Sequence, residues 1–188
     1  MTATAPRAHF YTATTLDGYL ADAHDSLDWL LSQPIDEDGP MSYGSFITGI
    51  GCMVMGATTY QWLLDHELSD DKPWPYDMPC FLFTHRAVTP VADSIRVVSG
   101  SPSDHRAQIV ESAGGKDIWV VGGGDLAAQF AEAGFLDEIV VNIAPVTLGA
   151  GRPLFPRPFD LELLEVDRNR AFVCARYRVV GARVASSG

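Results

Sequence analysis

Hydrophobic residues fall along this chain in two rhythms. Short, nearly unbroken apolar runs predict buried strands at 9–14 (HFYTAT), 52–56, 80–84, 95–99, 117–121, 138–146, 161–166 and 172–180. Between them, apolar residues spaced three and four apart predict helices near 26–32, 42–50, 58–66, 103–113 and 125–133. Strands and helices alternate through two thirds of the chain, the order that builds an α/β sheet through crossover connections. The last three strands have no helix between them, and DRNR (167–170) offers a turn for an antiparallel hairpin. The expected fold is α/β, with a mixed, mostly parallel central sheet and antiparallel C-terminal strands. No repeat or low-complexity linker interrupts the pattern, so residues 1–188 read as one domain with its core at about 9–180. The proline-rich DDKPWPYDMPCF (70–81) reads as a loop entering a central strand, and ASSG (185–188) as a frayed end.

Composition removes some functions. A chain of 188 residues can bury a proper core. Its net charge of -11 argues against a nucleic-acid partner, which needs a concentrated basic surface. The three cysteines (Cys52, Cys80, Cys174) are odd in number and lack CxxC spacing, so they read as buried free thiols in a reducing compartment. No apolar run approaches the length of a membrane span, and MTATAPRAHF lacks a signal-peptide core. The expectation is a soluble, cytoplasmic protein.

Candidate chemistry begins with DIWVVGGGDLAAQFAEAG (117–134), where three glycines separate a strand pattern from a helix pattern. Gly122, Gly124 and Ala127 fit the loose dinucleotide fingerprint, but the ribose-binding acid expected about 20 residues on is replaced by Asn142. No GxxxxGK[ST] phosphate loop is present. The glycines either relax a tight turn or let the backbone approach a pyrophosphate at a helix N-terminus. Asp125 is suited to cap that helix, yet its charge would repel a phosphate there. Two further strand ends bear on the choice. CMVMGATTYQWL (52–63) puts Thr58 and Thr59 at a helix start, and CFLFTHR (80–86) ends a strand in Thr84, His85 and Arg86. Such groups on the C-terminal edge of a parallel sheet would grip a nucleotide diphosphate, with His85 and Arg86 available to an extra phosphate.

Taken together, TTLDGYLA (14–21), SLDWLL (26–31), VMGATTYQ (54–61), FLFTHR (81–86), DIWVVGGGDLAAQF (117–130) and DEIVVNIAPVTLGAGRPLF (137–155) resemble the dihydrofolate reductase superfamily. The branch is the one similar to the reductase domain of bacterial riboflavin biosynthesis, and the likeness runs over about residues 9 to 180. It implies a three-layer reductase fold, NADPH as cofactor, and a homodimer. It also implies a hydride acceptor of the pterin, pyrimidine, imine or carbonyl kind, as in 5-amino-6-(5-phosphoribosylamino)uracil reductase. By position it assigns Gly56, Thr58, Thr59, Gly122, Gly123, Gly124 and Leu126 to the cofactor phosphates. Thr84, His85 and Arg86 fall beside the adenosine 2′-phosphate, and Ala13 and Thr14 beside the nicotinamide. Ala57 stands where dihydrofolate reductases often carry a basic residue, so a preference for NADPH over NADH would lean on Arg86.

Reduction of a C=N or C=O group also calls for a proton source. By the same resemblance, Asp28 is the positional match to the acid that faces the pterin, and Asp17 matches a loop that closes over the nicotinamide. Each has a plainer reading: Ser26 caps a helix whose first turn favours a carboxylate, and Asp17-Gly18 is a turn pair. Trp29, Tyr60 and Trp62 suit either a planar substrate or the core. His9, His24, His66 and His105 show no metal spacing and read as surface or cap residues. LGAGRPLF (148–155) reads in isolation as a glycine-proline loop bounding an edge strand; the resemblance implies that it flanks the substrate mouth or the dimer contact, with Arg152 its obvious anion-binding group. The loops 32–48 and 66–79 match no motif, which leaves the substrate unnamed. A noncatalytic nucleotide-binding module is the alternative from another class.

Overall fold

A computed structural model describes residues 5–68 and 72–184. The main sheet contains β1 (Ala8–Thr15), β3 (Ile50–Gly56), β4 (Cys80–Phe83), β5 (Ile95–Val98), β6 (Asp117–Gly122), β7 (Glu138–Ala144), β9 (Phe159–Asn169) and β10 (Phe172–Ala182). Their spatial order is β5-β4-β3-β6-β1-β7-β10-β9. β1 pairs in parallel with both β6 and β7, and β3 with both β4 and β6. β10 alone runs against its neighbours, β7 and β9. This is the expected mixed sheet with an antiparallel C-terminal side.

Helices cover both faces, which is why the inner strands read as unbroken apolar runs. In β3, Cys52 and Val54 point into one core with α4 (Pro102–Ser112) and α5 (Gly124–Glu132). Met53 and Met55 point the other way, into a core shared with α3 (Ala57–His66) and flanked by α2 (Tyr43–Ile47). A smaller cluster beneath the single-turn α1 (Asp28–Leu31) holds Trp29, Phe172 and Cys174. All three cysteines are free and buried.

Several expectations shift. The predicted helix at 42–50 stops at Ile47, because Ile50 already begins β3. Ser26 precedes the cap position of α1, which is Leu27, although its Oγ accepts the Asp28 N–H at 3.1 Å. The C-terminal hairpin is longer and tighter than expected: Asn169 and Phe172 pair directly, with Arg170 at φ 48 in the turn. A second sheet, β2 (Tyr19–Ala21) with β8 (Arg152–Pro153), had no sequence signal. His9 is buried rather than on the surface; its Nε2 meets Asp117 Oδ2 at 3.0 Å and its Nδ1 meets Glu138 Oε2 at 3.5 Å. The 70–81 segment reaches β4 as an irregular connection from residue 72 onward, while residues 70–71 and 185–188 lie outside the described residues. Among the described residues, no helix is long and apolar enough to cross a membrane.

Candidate active site

A cavity of about 630 Å³ opens at the C-terminal ends of the parallel strands. Its wall follows the strand order. Ser99 and Gly100 lie after β5, Thr84 and His85 after β4, and Gly56 to Thr59 at the β3–α3 junction. Val121 to Leu126 come next at the β6–α5 junction, then Thr12 and Ala13 in β1. Beyond β1 the wall becomes apolar, with Leu20, Leu27 and Leu30, faced by Trp62 and Leu63 of α3.

Two helices begin at this cavity, and neither has a side-chain cap. α3 starts from Gly56 and α5 from Gly123, both in extended conformation. By contrast α4, whose start is not part of the wall, closes its own terminus with a Ser101–Asp104 capping box. Uncapped first-turn N–H groups carry the positive end of the helix dipole. Asp125 is the second helical residue of α5 and not its cap. Its carboxylate accepts instead from Gln129 Nε2 at 2.6 Å and Arg157 at 3.0 Å. The charge expected to repel an anion is thus tied to neighbouring side chains.

The three glycines have separate reasons. Gly122 has φ 155, and a Cβ there would lie 3.3 Å from Thr59 Oγ1. The Gly122–Gly123 peptide is cis. A Cβ on Gly123 would meet nothing within 4 Å, so that position faces open space. A Cβ on Gly124 would run into the carbonyl groups of Pro153 and Leu154. Gly124 is therefore a packing requirement, where α5 seats against the β8 segment.

Of the residues that the resemblance assigned to the cofactor, all but Thr14 and Arg86 line the cavity. The Thr14 hydroxyl is buried and donates to the Tyr19 carbonyl at 3.1 Å, closing the β1–β2 turn. The Thr84 Oγ1 accepts the Arg86 N–H at 3.0 Å, and the Arg86 side chain stands exposed beyond the wall with no ion pair among the described residues.

Neither Asp17 nor Asp28 lies in the cavity wall. Asp28 sits exposed on α1. Asp17 accepts from the Thr15 hydroxyl at 2.5 Å, Leu148 N–H at 3.0 Å and Gly149 N–H at 2.7 Å, so it anchors the loop after β7. Those bonds, the Thr15 hydroxyl foremost, hold its carboxyl below the usual range. The carboxylates that do line the cavity are Asp25 and Asp125. Asp25, unnoticed in the sequence, takes a bidentate bond from Arg152, with Nε at 2.6 Å and Nη2 at 2.9 Å. That guanidinium keeps the Asp25 carboxyl below its ordinary value, and the arginine is shifted upward in return. Arg152 lines the cavity, and its charge is paired with Asp25. Of the aromatic candidates, Trp29 and Tyr60 are core and Trp62 lines the cavity. Asn142, standing where a ribose-binding acid would be, is buried in β7 and donates to the Tyr11 hydroxyl at 3.2 Å.

The mixed, mostly parallel eight-stranded sheet with its antiparallel C-terminal side is the fold of dihydrofolate reductase-like riboflavin biosynthesis reductases. A family model, the RibD C-terminal domain, matches residues 102–176. The chain is 28% identical over 146 residues to YwjB of Bacillus subtilis (strain 168), a protein described as uncharacterized, covering 77% of this chain and 80% of the relative. Among solved structures it is similar to a candidate riboflavin biosynthesis protein from Shewanella sp. PV-4, with TM-score 0.76 and 28% identity, covering 93% of this chain and 99% of the other. It also shares its fold with the diaminohydroxyphosphoribosylaminopyrimidine deaminase/5-amino-6-(5-phosphoribosylamino)uracil reductase of Thermotoga maritima, at TM-score 0.61 and 14% identity. That match covers 93% of this chain and 57% of the longer one.

Proposed function

We propose that this chain is an NADPH-dependent reductase that passes a hydride to a small heteroaromatic, imine or carbonyl compound. The observation that carries the reading is the meeting of two uncapped helix starts and an open glycine at one cavity on the C-terminal edge of the sheet. Backbone N–H groups and two dipole ends directed at one place suit a pyrophosphate. The hydroxyls of Thr58, Thr59, Thr84 and Ser99 add donors along the wall, and the cavity volume falls in the range of about 300–1,000 Å³ usual for ligand sites. The residues therefore fit a dinucleotide. Gly56, Thr58, Thr59 and Gly122 to Leu126 would hold its phosphates, Thr84, His85 and Arg86 its 2′-phosphate end, and Ala13 its nicotinamide end.

When bound, NADPH supplies a hydride from its reduced nicotinamide ring. Leu27, Leu30, Trp62 and Val121 would face the acceptor with carbon surface, and the open cavity still admits the water that supplies a proton. Asp25, held ionised by Arg152, is no proton donor near neutral pH, and we assign the proton to water. The lack of a poised acid among the described lining residues is also what favours the second reading, a noncatalytic nucleotide-binding module. Three buried free thiols suit a reducing compartment such as the cytoplasm. We further propose a homodimer, as the resemblance implies, and the exposed apolar strip of Leu161, Leu163 and Val166 on edge strand β9 supports it.

Titration with NADPH and then NADH, followed by tryptophan quenching, tests the cofactor. Tight NADPH binding is expected, and failure of both to bind would end the reductase reading. NADPH oxidation across a panel of acceptors separates enzyme from module, and sedimentation velocity reports the oligomer.

A further inference from the structure

We propose that the acceptor end of this cavity takes an apolar, uncharged substrate and turns away phosphorylated or carboxylated ones, because Asp25 cancels the cation that stands there. The inference builds on the reductase reading of the same cavity and narrows its substrate class. Its first support is the composition of the wall beyond β1: Leu20, Leu27, Leu30, Trp62 and Val121 present carbon surface, with no exposed hydroxyl or amide among them. The second is electrostatic. Arg152 is the arginine of the described lining, and no lysine lines the cavity. Both branches of its guanidinium that face Asp25 are engaged, at 2.6 and 2.9 Å. A bidentate arginine–carboxylate pair satisfies the geometry that a substrate phosphate or carboxylate would otherwise use. An anionic substrate must then either displace Asp25 or sit beside it, and like charges that close oppose each other, although Arg152 and Asp25, at 57% and 37% exposed, are partly screened by solvent.

Asp25 is held in place for this. It occupies a left-handed turn, φ 62, and its N–H donates to the Asp22 carbonyl at 3.2 Å. Aspartate and asparagine tolerate that backbone better than most residues. The turn presents the carboxylate to β8 across a gap of 127 positions in sequence. In the reaction, the C=O or C=N carbon of the substrate gains the hydride, its heteroatom gains a proton from water, and NADPH leaves as NADP+. No anionic group on the substrate is needed for any of these transfers.

The test measures binding, by isothermal titration calorimetry, of naphthaldehyde and of its carboxylate-bearing derivative to the wild-type chain and to Asp25→Asn. Asparagine keeps the turn and removes the charge, which frees Arg152. The wild type should bind the neutral aldehyde at least about tenfold more tightly than the carboxylated one. Asp25→Asn should bind the carboxylated aldehyde about tenfold more tightly than wild type does, so the ratio of the two affinities moves toward the carboxylated one. In Asp25→Asn/Arg152→Met that gain should vanish. Equal wild-type affinity for the two aldehydes overturns the proposal without any variant having to fold, and so does an Asp25→Asn protein that gains nothing. An NADPH titration of the same wild-type sample keeps the two readings apart. Cofactor binding without the neutral preference removes this inference and leaves the reductase; the preference without cofactor binding does the reverse.

Discussion

Replacing Gly123 and Gly124 one at a time should separate what the triple glycine does for stability from what it does for binding. A Cβ on Gly124 would lie 2.8 Å from the Leu154 carbonyl carbon and closer still to the Leu154 and Pro153 oxygens. Ordinary carbon contacts are about 3.5–4.0 Å, and these neighbours are backbone, so nothing flexible can give way. Either α5 or the β8 segment must move, and β8 is held by its pairing with β2 and by the Leu154 N–H bond to the Gly18 carbonyl at 2.9 Å. Overpacking of this kind costs about 1–3 kcal/mol. The reduced entropy of an unfolded alanine chain returns about 0.4–1 kcal/mol, so Gly124→Ala should destabilise by about 1–2 kcal/mol. Gly123→Ala meets no atom within 4 Å. Its loss as a helix cap, several tenths of a kcal/mol on the scale of about 0.5–2 kcal/mol for capping changes, is offset by the same entropic gain. Its stability should stay within about 0.5 kcal/mol of wild type, while the new methyl occupies space assigned to the pyrophosphate and weakens NADPH binding by about tenfold or more. Urea denaturation and NADPH titration on both variants read the two effects. A silent Gly124→Ala, or a Gly123→Ala that loses stability but binds NADPH normally, refutes the division.

Other consequences can be checked separately. Asp28→Asn should leave NADPH affinity and any turnover within about twofold, since Asp28 is exposed and outside the wall; a tenfold fall in hydride transfer would return it to the mechanism. Arg86→Ala should weaken NADPH by about fivefold and leave NADH alone, an exposed cation being worth about 1 kcal/mol to a phosphate; equal effects on both cofactors would deny it the 2′-phosphate. Burial pushes the Cys52 and Cys80 thiols up to about 12 and raises Cys174 as well, so a thiol reagent at pH 8 should find none in the native protein and all three in urea. Asp17, Asp25 and Asp104 have lowered folded-state pKa values. Their contribution is complete above the unfolded value of about 4 and is lost as pH falls through the lower folded values. Acid titration of tryptophan fluorescence should show a stable plateau above pH 4 and loosening below it, and a loss beginning near pH 6 would point to a histidine instead.

How much of this was legible in the sequence depended on range. The eight strands of the main sheet announced themselves because helices cover both faces and leave few polar positions within the inner strands. β2 and β8, at 3 and 2 residues, are too short for any period, and Pro153 speaks against a strand at all. His9 looked like a surface residue until the parallel pairing of β1 between β6 and β7 brought Asp117 and Glu138 against it. Asn169 gave no signal either, yet it is 2% exposed and ties the 36–40 loop to the C-terminal hairpin through the Asp36 N–H at 2.8 Å and the Asp36 and Pro40 carbonyls at 2.9 and 3.3 Å.

That latch shows what sequence patterns omit. Local propensity reports on neighbours a few positions away, whereas Asn169 and Asp36 are 133 apart, and Asp25 and Arg152 are 127 apart. Each pair joins segments whose residue types look like ordinary loop chemistry on their own. Asn169→Ala removes three bonds from a buried group, each worth about 0.5–1.5 kcal/mol, and should cost about 2–3 kcal/mol in urea denaturation. A cost below 0.5 kcal/mol would mean the loop finds equivalent bonds to water. The same reasoning applies to the site. Glycine turns and threonine helix starts are local features, so the residues that line the strand-end part of the cavity could be picked out directly. The charge that Asp25 and Arg152 bring to the cavity wall is set by a pairing across the fold, and neither residue type signals it alone.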